Sequence, residues 1–263
     1  MKVLSDVVLN TKYEPYEFKD VKKSVSFERG AAEAIPEVIA LDIAHSIAFR
    51  HGLGNSLYAS TTTKVTSSEQ VKAFSNKVYT APNITIAGTS VSHKELASLT
   101  DILFRDVSHA VSSTPIASKY FGGETRIHAA DRNQFIVGFE GAPAGTSDYA
   151  ILQVICAYLD GTKHTKWGDG ATKLAQVASE RHVQISPFNI GYSDAGFFGI
   201  HISGESTSIH MTYKDVIEHL WSAVKMSTED FQTAIAKAKY QTAVSYDTRA
   251  SKTELFGGQV MMI

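Results

Sequence analysis

The chain has 263 residues, 43% hydrophobic and 20% charged, with 25 Lys and Arg against 27 Asp and Glu. This is the composition of a soluble globular protein of one large or two modest domains, at roughly 100–200 residues per domain. The formal net charge of -2 lacks the basic excess that phosphate binding needs, no apolar run reaches the roughly 20 residues of a membrane span, and the single cysteine, Cys156, excludes an internal disulfide framework.

Val3, Val7 and Val8 share one helical face at the start. The segment reads as neither a signal peptide nor a transit peptide, and the chain stops in the apolar run Val260-Met261-Met262-Ile263. Both features are expected of a chain cut at its two ends. Pro15 breaks the helical pattern, and a helix is expected from about Glu17 to Ala32. Pro36 suits the first turn of the next helix, where its missing N–H costs nothing. That helix carries Val38, Leu41, His45 and Ala48 on one side and ends at His51-Gly52-Leu53-Gly54.

Thr66-Ser67-Ser68-Glu69 reads as a capping box opening a helix with Val71, Phe74 and Val78 in phase. Ile84-Thr85-Ile86-Ala87, between Pro82-Asn83 and Gly88, reads as a short strand. Ser92-His93-Lys94-Glu95 is a second capping box, with Leu96, Leu99, Ile102 and Leu103 expected to face inward.

Residues 110–123, with Ser112, Ser113, Thr114, Pro115 and Gly122-Gly123, have the composition of a linker. Beyond it the apolar period changes from 3.6 to 2. Phe135, Val137 and Phe139 alternate with their neighbours, as do Phe188, Ile190 and Tyr192, and Phe198, Ile200 and Ile202. Ser193-Asp194-Ala195-Gly196 between the last two runs is turn chemistry, with Gly196 expected at positive φ. Helices are expected around Tyr149, Leu152, Cys156 and Leu159, around Ile217, Leu220, Trp221 and Val224, and after Ser227-Thr228-Glu229-Asp230 through Phe231 and Ile235. Trp221 is expected to be buried. Strands under helices in this order make an α+β layered domain.

Reactive constellations are hard to assemble from this sequence. A helical zinc site needs two His one turn apart. His45 and His51 are six apart across a helix end, His128 stands alone, His201 and His210 are too far apart, and His219 follows Glu218 without a partner His. Each reads as a surface or core histidine. Cys156 lies between Ile155 and Ala157 on an apolar helix face and reads as a structural thiol rather than a nucleophile. Gly161 to Gly170, with Lys163, His164, Lys166 and Lys173 nearby, lacks the order of a phosphate loop and reads as a basic surface loop. Asn83-Ile84-Thr85 has sequon spacing but fits a strand start, and Glu28, Glu33 and Glu37 read as solvated helix-end carboxylates.

Three segments carry a family likeness: Gly54-Asn55-Ser56-Leu57-Tyr58, Tyr120-Phe121-Gly122-Gly123-Glu124-Thr125-Arg126-Ile127, and Pro187-Phe188-Asn189-Ile190-Gly191-Tyr192-Ser193-Asp194-Ala195-Gly196-Phe197-Phe198-Gly199. Together they resemble the pitrilysin-type family, which holds the mitochondrial processing peptidase and the core subunits of the mitochondrial cytochrome bc complex (respiratory complex III). The likeness implies two homologous layered α/β domains of the processing-peptidase type. Residues 1–109 would be the C-terminal part of the first, 110–123 a linker, and 124–263 the second, short of its final helix and strand. The first domain would be incomplete at its N-terminal side, without the helix that carries the His-x-x-Glu-His zinc motif in active relatives. No catalytic, cofactor-binding or metal-ligating residue is then expected, and no cofactor.

The α subunit of the processing peptidase has a long glycine-rich loop in its second domain. The matching stretch here, Asp160 to Gly170, lacks consecutive glycines and holds Trp167, so the likeness favours core subunits of the second type. It implies a non-catalytic structural and assembly subunit on the matrix side of the mitochondrial inner membrane. Its implied partners are the first core subunit and the other complex III subunits, in a dimer of the whole complex that reaches the membrane through those partners, with no nucleic acid. The alternative is the processing-peptidase α subunit, binding presequences beside a zinc-bearing partner.

Overall fold

The computed structural model describes residues 1–59, 65, 67–110, 116–128, 133–162 and 172–261. Thr66 of the first capping box, most of the serine-rich stretch before Ile116, and most of the basic loop after Thr162 lie outside the described residues. Contacts divide the chain into two units that do not follow chain order. The first holds Met1–Ala31, Tyr58–Ile116 and Asp247–Met261, and the second Ala32–Leu57 and Ala117–Tyr246. This grouping does not coincide with a division at residues 110–123.

The described elements of the first unit are helical. They are α1 (Lys2–Leu9), most of α2 (Pro15–Glu33), α4 (Ser68–Val78), α5 (His93–Leu103) and α10 (Arg249–Met261). The capping expected at Ser92 is present: its Oγ accepts from the Glu95 N–H at 3.4 Å, satisfying one donor that the first turn leaves open. The strand expected at 84–87 is not formed. A strand needs a hydrogen-bonded neighbour for its backbone groups, and the nearest bridge instead joins Thr80 to Ser108, with Ala81 N–H donating to Ser108 O at 2.8 Å. The 87–89 stretch lies against α10, where Thr89 Oγ1 meets Thr253 Oγ1 at 3.2 Å. Ile102 and Leu99, expected inside, are 64% and 42% exposed.

The second unit is layered. Its sheet has the order β1-β3-β2, all antiparallel, formed by β1 (Asn133–Glu140), β2 (Gln184–Gly191) and β3 (Gly196–Gly204). One face carries Ile185 of β2 and Phe198, Ile200 and Ile202 of β3, as the period-two pattern predicts. These pack under α6 (Ser147–Leu159), α7 (Lys173–Arg181) and α8 (Ser206–Ser222) through Leu159, Leu174 and Val216. The other face presents Phe188 and Phe197 to Ala48 and Phe49 of α3 (Pro36–Phe49). The long helix α9 (Thr228–Ser245) packs on α6. Its first turn is capped by Ser227 Oγ, which accepts from the Asp230 N–H at 3.1 Å.

Gly138 and Gly199 stand opposite each other across β1 and β3. A Cβ on Gly138 would lie 2.4 Å from the Phe197 ring and one on Gly199 2.6 Å from the Phe188 ring, so this glycine pair is the floor under both aromatics. Gly196 differs from expectation: it is not among the positive-φ glycines. It is required for space, because a Cβ there would lie 2.2 Å from the Ala142 carbonyl oxygen. Trp221 also differs, being 72% exposed. In α8 the buried line is Ile209, Thr212 and Val216, and Trp221 falls about 140° away from Val216, on the opposite side of a 3.6-residue helix. No described helix is long and apolar enough to cross a membrane.

Candidate functional site

The described histidines do not converge. His51, His93, His109, His128, His182 and His210 are exposed. His45 is built into the α3 face of the second unit. Its Nδ1 sits 2.8 Å from Leu41 O, which only accepts, so Nδ1 carries the proton and Nε2 accepts from the Tyr192 hydroxyl at 2.8 Å. Phe197 packs edge-on against the ring, 4.9 Å between centroids. His201 Nε2 donates to Gln134 Oε1 at 2.6 Å across the β1–β3 ladder. Burial lowers the His201 pKa, opposed by the Glu37 carboxylate. His219 stacks on Tyr158, and burial, aided by the Lys173 charge, lowers its pKa against the pull of Asp230. Among the described residues no group of three or more His, Cys, Asp or Glu is placed to hold a metal ion.

Cys156 lies on α6, and burial with the nearby Asp160 charge pushes its thiol up to about 12. Attack requires thiolate, and at neutral pH this group is a thiol. Glu28 and Glu33 are exposed, and Glu37 is half-buried. Asn83 sits in a single 3-10 turn, its Nδ2 donating to Val78 O at 3.1 Å.

Two cavities stand out in the second unit. The smaller, of about 70 Å³, lies between α3, the segment 120–123 and β1, walled by Ile47, Ala48, Tyr120, Ile136 and Phe197. The 120–123 segment is pinned there by Phe121 N–H to Ala48 O at 2.7 Å and Tyr120 hydroxyl to Gly138 O at 3.2 Å.

The larger, of about 280 Å³, lies between α6, α9 and β2, and is lined by Gln153, Thr162, Ser186, Asn189 and Gln241, with Cys156 and Pro187. Asp160, just beyond the end of α6, borders it and is 5% exposed. Its Oδ2 meets Lys237 Nζ of α9 at 2.7 Å, and its Oδ1 accepts from Thr162 N–H at 2.8 Å and Thr162 Oγ1 at 2.6 Å. Its main-chain oxygen accepts from Thr172 Oγ1 at 2.5 Å. The carboxylate is therefore neutralised and its lone pairs used, as burial of a charge requires. Asn189 Nδ2 donates to Tyr149 O at 3.1 Å, while its Oδ1 is buried without a partner. Sequence patterns pointed to neither the Asp160 node nor the Asn189 acceptor, because both depend on pairings between residues distant in the chain.

The arrangement can bind and orient hydrogen-bonding groups; apart from it, Ser222 Oγ lies 3.2 Å from His219 Nδ1 but donates to the His219 main-chain oxygen at 2.7 Å. The family model described as the peptidase M16 inactive domain matches residues 66–239. The mitochondrial cytochrome b-c1 complex subunit 2 of Cryptococcus neoformans is 34% identical over 94% of this chain and 58% of its own length. The mitochondrial-processing peptidase subunit alpha-2 of Dictyostelium discoideum is 24% identical over 71% of this chain and 43% of its own length. A chain in the structure of complex III2 from Candida albicans with Inz-5 bound superposes with a TM-score of 0.76 at 17% identity, over 98% of this chain and 63% of that one. The chain spans 54–61% of the length of the first three curated b-c1 relatives.

Proposed function

This chain belongs to the peptidase M16 inactive-domain family, and from that premise we propose that it serves as a non-catalytic core subunit, of the second type, in a mitochondrial ubiquinol–cytochrome c reductase complex. The observation that carries this reading is the similarity to a b-c1 subunit 2 over 94% of the chain, at 34% identity. The surface agrees with such a role. Trp221, Val224 and Tyr240 of the second unit are 72%, 82% and 69% exposed, and Val3, Leu4 and Phe27 of the first are 75%, 61% and 78% exposed. Large apolar and aromatic side chains on helix surfaces are what obligate interfaces bury.

In this reading the subunit lies on the matrix side of the inner membrane. It pairs with the first core subunit, joins the other subunits in a dimeric complex, and contributes area rather than chemistry. Two M16-type domains, over 1–109 and 124–263 with 110–123 between them, are the evolutionary units of the proposal. The test is purification of the tagged gene product from its own mitochondria. Co-migration with haem-bearing cytochromes in one large assembly, and loss of that assembly on gene deletion, is the expected result. A product that leaves the assembly intact when deleted overturns it.

The second reading, an α subunit of the processing peptidase, rests on the similarity to the Dictyostelium subunit. It requires that the chain restore presequence cleavage when mixed with a zinc-bearing partner subunit. Absence of that cleavage, beside cytochrome co-migration, removes it.

A further inference from the structure

Helix α3 ends in a strained turn. Arg50 follows Phe49 with φ 61° and ψ -45°, and His51 N–H donates to Phe49 O across it at 2.6 Å. This is a γ-turn of the rare hand, which glycine adopts freely and a residue with a Cβ does not. Strain of this kind persists where the surroundings impose it, and it gathers at functional positions. Here it sets an exposed Arg at the C-terminus of α3. The guanidinium carbon stands 4.7 Å from the centre of the Phe121 ring.

A second cation reaches the same ring, with Lys119 Nζ 5.5 Å from its centre. The ring's own segment is tied down along its length. Phe121 N–H donates to Ala48 O at 2.7 Å, the Tyr120 hydroxyl to Gly138 O at 3.2 Å, and Ser118 N–H to Asp194 Oδ2 at 2.7 Å. Asp194 thus serves the main chain. Neither Arg50 nor Lys119 has an ion-pair partner among the described residues. Both are exposed, and the ring is 43% exposed.

An aromatic face attracts one cation, but a second on the same ring is repelled by the first. The end of α3 offsets part of this repulsion, because a helix C-terminus carries about -0.5 of a charge. One cation already exceeds that, and two leave about +1.5 beside the ring. A carboxylate supplies a single negative charge. A phosphate monoester supplies about -1.5 to -2 at pH 7, and a guanidinium engages its oxygens in pairs. We propose that Arg50 and Lys119, on the Phe121 platform, bind a dianionic phosphate, either inorganic phosphate or a phosphate monoester. Arg50 donates to one pair of oxygens and Lys119 to a remaining one. Soluble phosphates and a phosphatidate headgroup share this chemistry. The site lies outside both cavities' polar groups and stands independently of membership in a respiratory complex.

The test titrates the full chain with inorganic phosphate, at an ionic strength held constant with chloride, and follows the Arg50 Nε–H and Phe121 ring resonances. Saturable shifts in about the millimolar range are expected. Acetate should bind about tenfold more weakly, and Arg50→Gln and Lys119→Gln should each weaken phosphate by about tenfold. Lys225→Gln removes an exposed Lys elsewhere in the second unit and should leave phosphate binding unchanged. Arg50→Gly separates binding from folding: it relieves the turn, so Tm should hold or rise while phosphate is lost. Tighter binding of glycerol phosphate than of vesicles of equimolar phosphatidylcholine and phosphatidate supports a soluble ligand, and the reverse order supports a lipid headgroup. Absence of saturable shifts at Arg50, equal binding of acetate, an equal loss in Lys225→Gln, or a lowered Tm in Arg50→Gly overturns the assignment.

Discussion

In the second unit Leu159, Ile185, Ile200, Ile202 and Val216 are fully buried, whereas the residues buried in the first are Ser5, Ser68, Ser75, Thr80 and Val107. The first unit does not lack amphipathic helices: α1, α4 and α5 each carry a well-defined apolar face. What separates them is the presence, among the described residues, of a sheet for those helices to cover. Apolar spacing gives a helix an adhesive side, but only a second layer makes that side an interior. The first unit's apolar helix faces, with Val3, Leu4, Val7 and Ile102 exposed, are thus the parts of this chain best suited to meeting another protein.

Five substitutions and a change of pH sharpen or break that contrast. Ile200→Ala empties a site that is 0% exposed at the centre of the sheet and should cost about 2–5 kcal/mol, read from urea unfolding. A loss below 1 kcal/mol would mean that the sheet is not the core. Gly196→Val drives a side chain into the Ala142 backbone and should cost about 1–3 kcal/mol by overpacking. If its Tm equals that of the parent, the approach between the hairpin and Ala142 is wrong.

Acid gives a smaller, graded effect. His201 and His219 have lowered pKa values in the folded chain, so below about pH 6.5 the unfolded chain binds protons that the folded chain refuses. Stability contributed by these neutral rings is present above that pH and falls as pH drops through it. His201→Gln should flatten the slope of Tm between pH 7.5 and 5.5, and an unchanged slope would remove His201 as its source. The smallest effects are expected at exposed positions. Ile102→Ala and Trp221→Ala should each change stability by less than about 0.5 kcal/mol. If Ile102→Ala costs several times that, its side chain is buried in solution and the contrast between the units collapses; the same result at Trp221 would add it to the second unit's core.

Much of the second unit was legible in the sequence. Period-two runs marked all three strands, and Ser227 and Pro36 marked two of its helix starts, as Ser92 did in the first unit, because these signals are local. The misses share one cause. Residues 84–87 have strand composition without a strand partner, and α10 forms across Gly257-Gly258, which argue locally against a helix. Gly196 looked like a positive-φ turn residue, but what demands glycine there is Ala142, from another part of the chain. Trp221 was placed inside by spacing alone, although the buried line of α8 runs through Val216. The candidate site was the least legible part. Asn189 became notable only when its Oδ1 proved to be buried without a partner, and Asp160 only when Lys237 arrived beside it from α9.

The Asp160 node makes the base of the following loop autonomous. One residue grips the outgoing stem at Thr162, the returning stem at Thr172 and the neighbouring helix at Lys237. The end of α6, the start of α7 and the side of α9 are thereby tied to one another through a single residue, so the geometry of this corner rests on Asp160 and not on what joins the two stems.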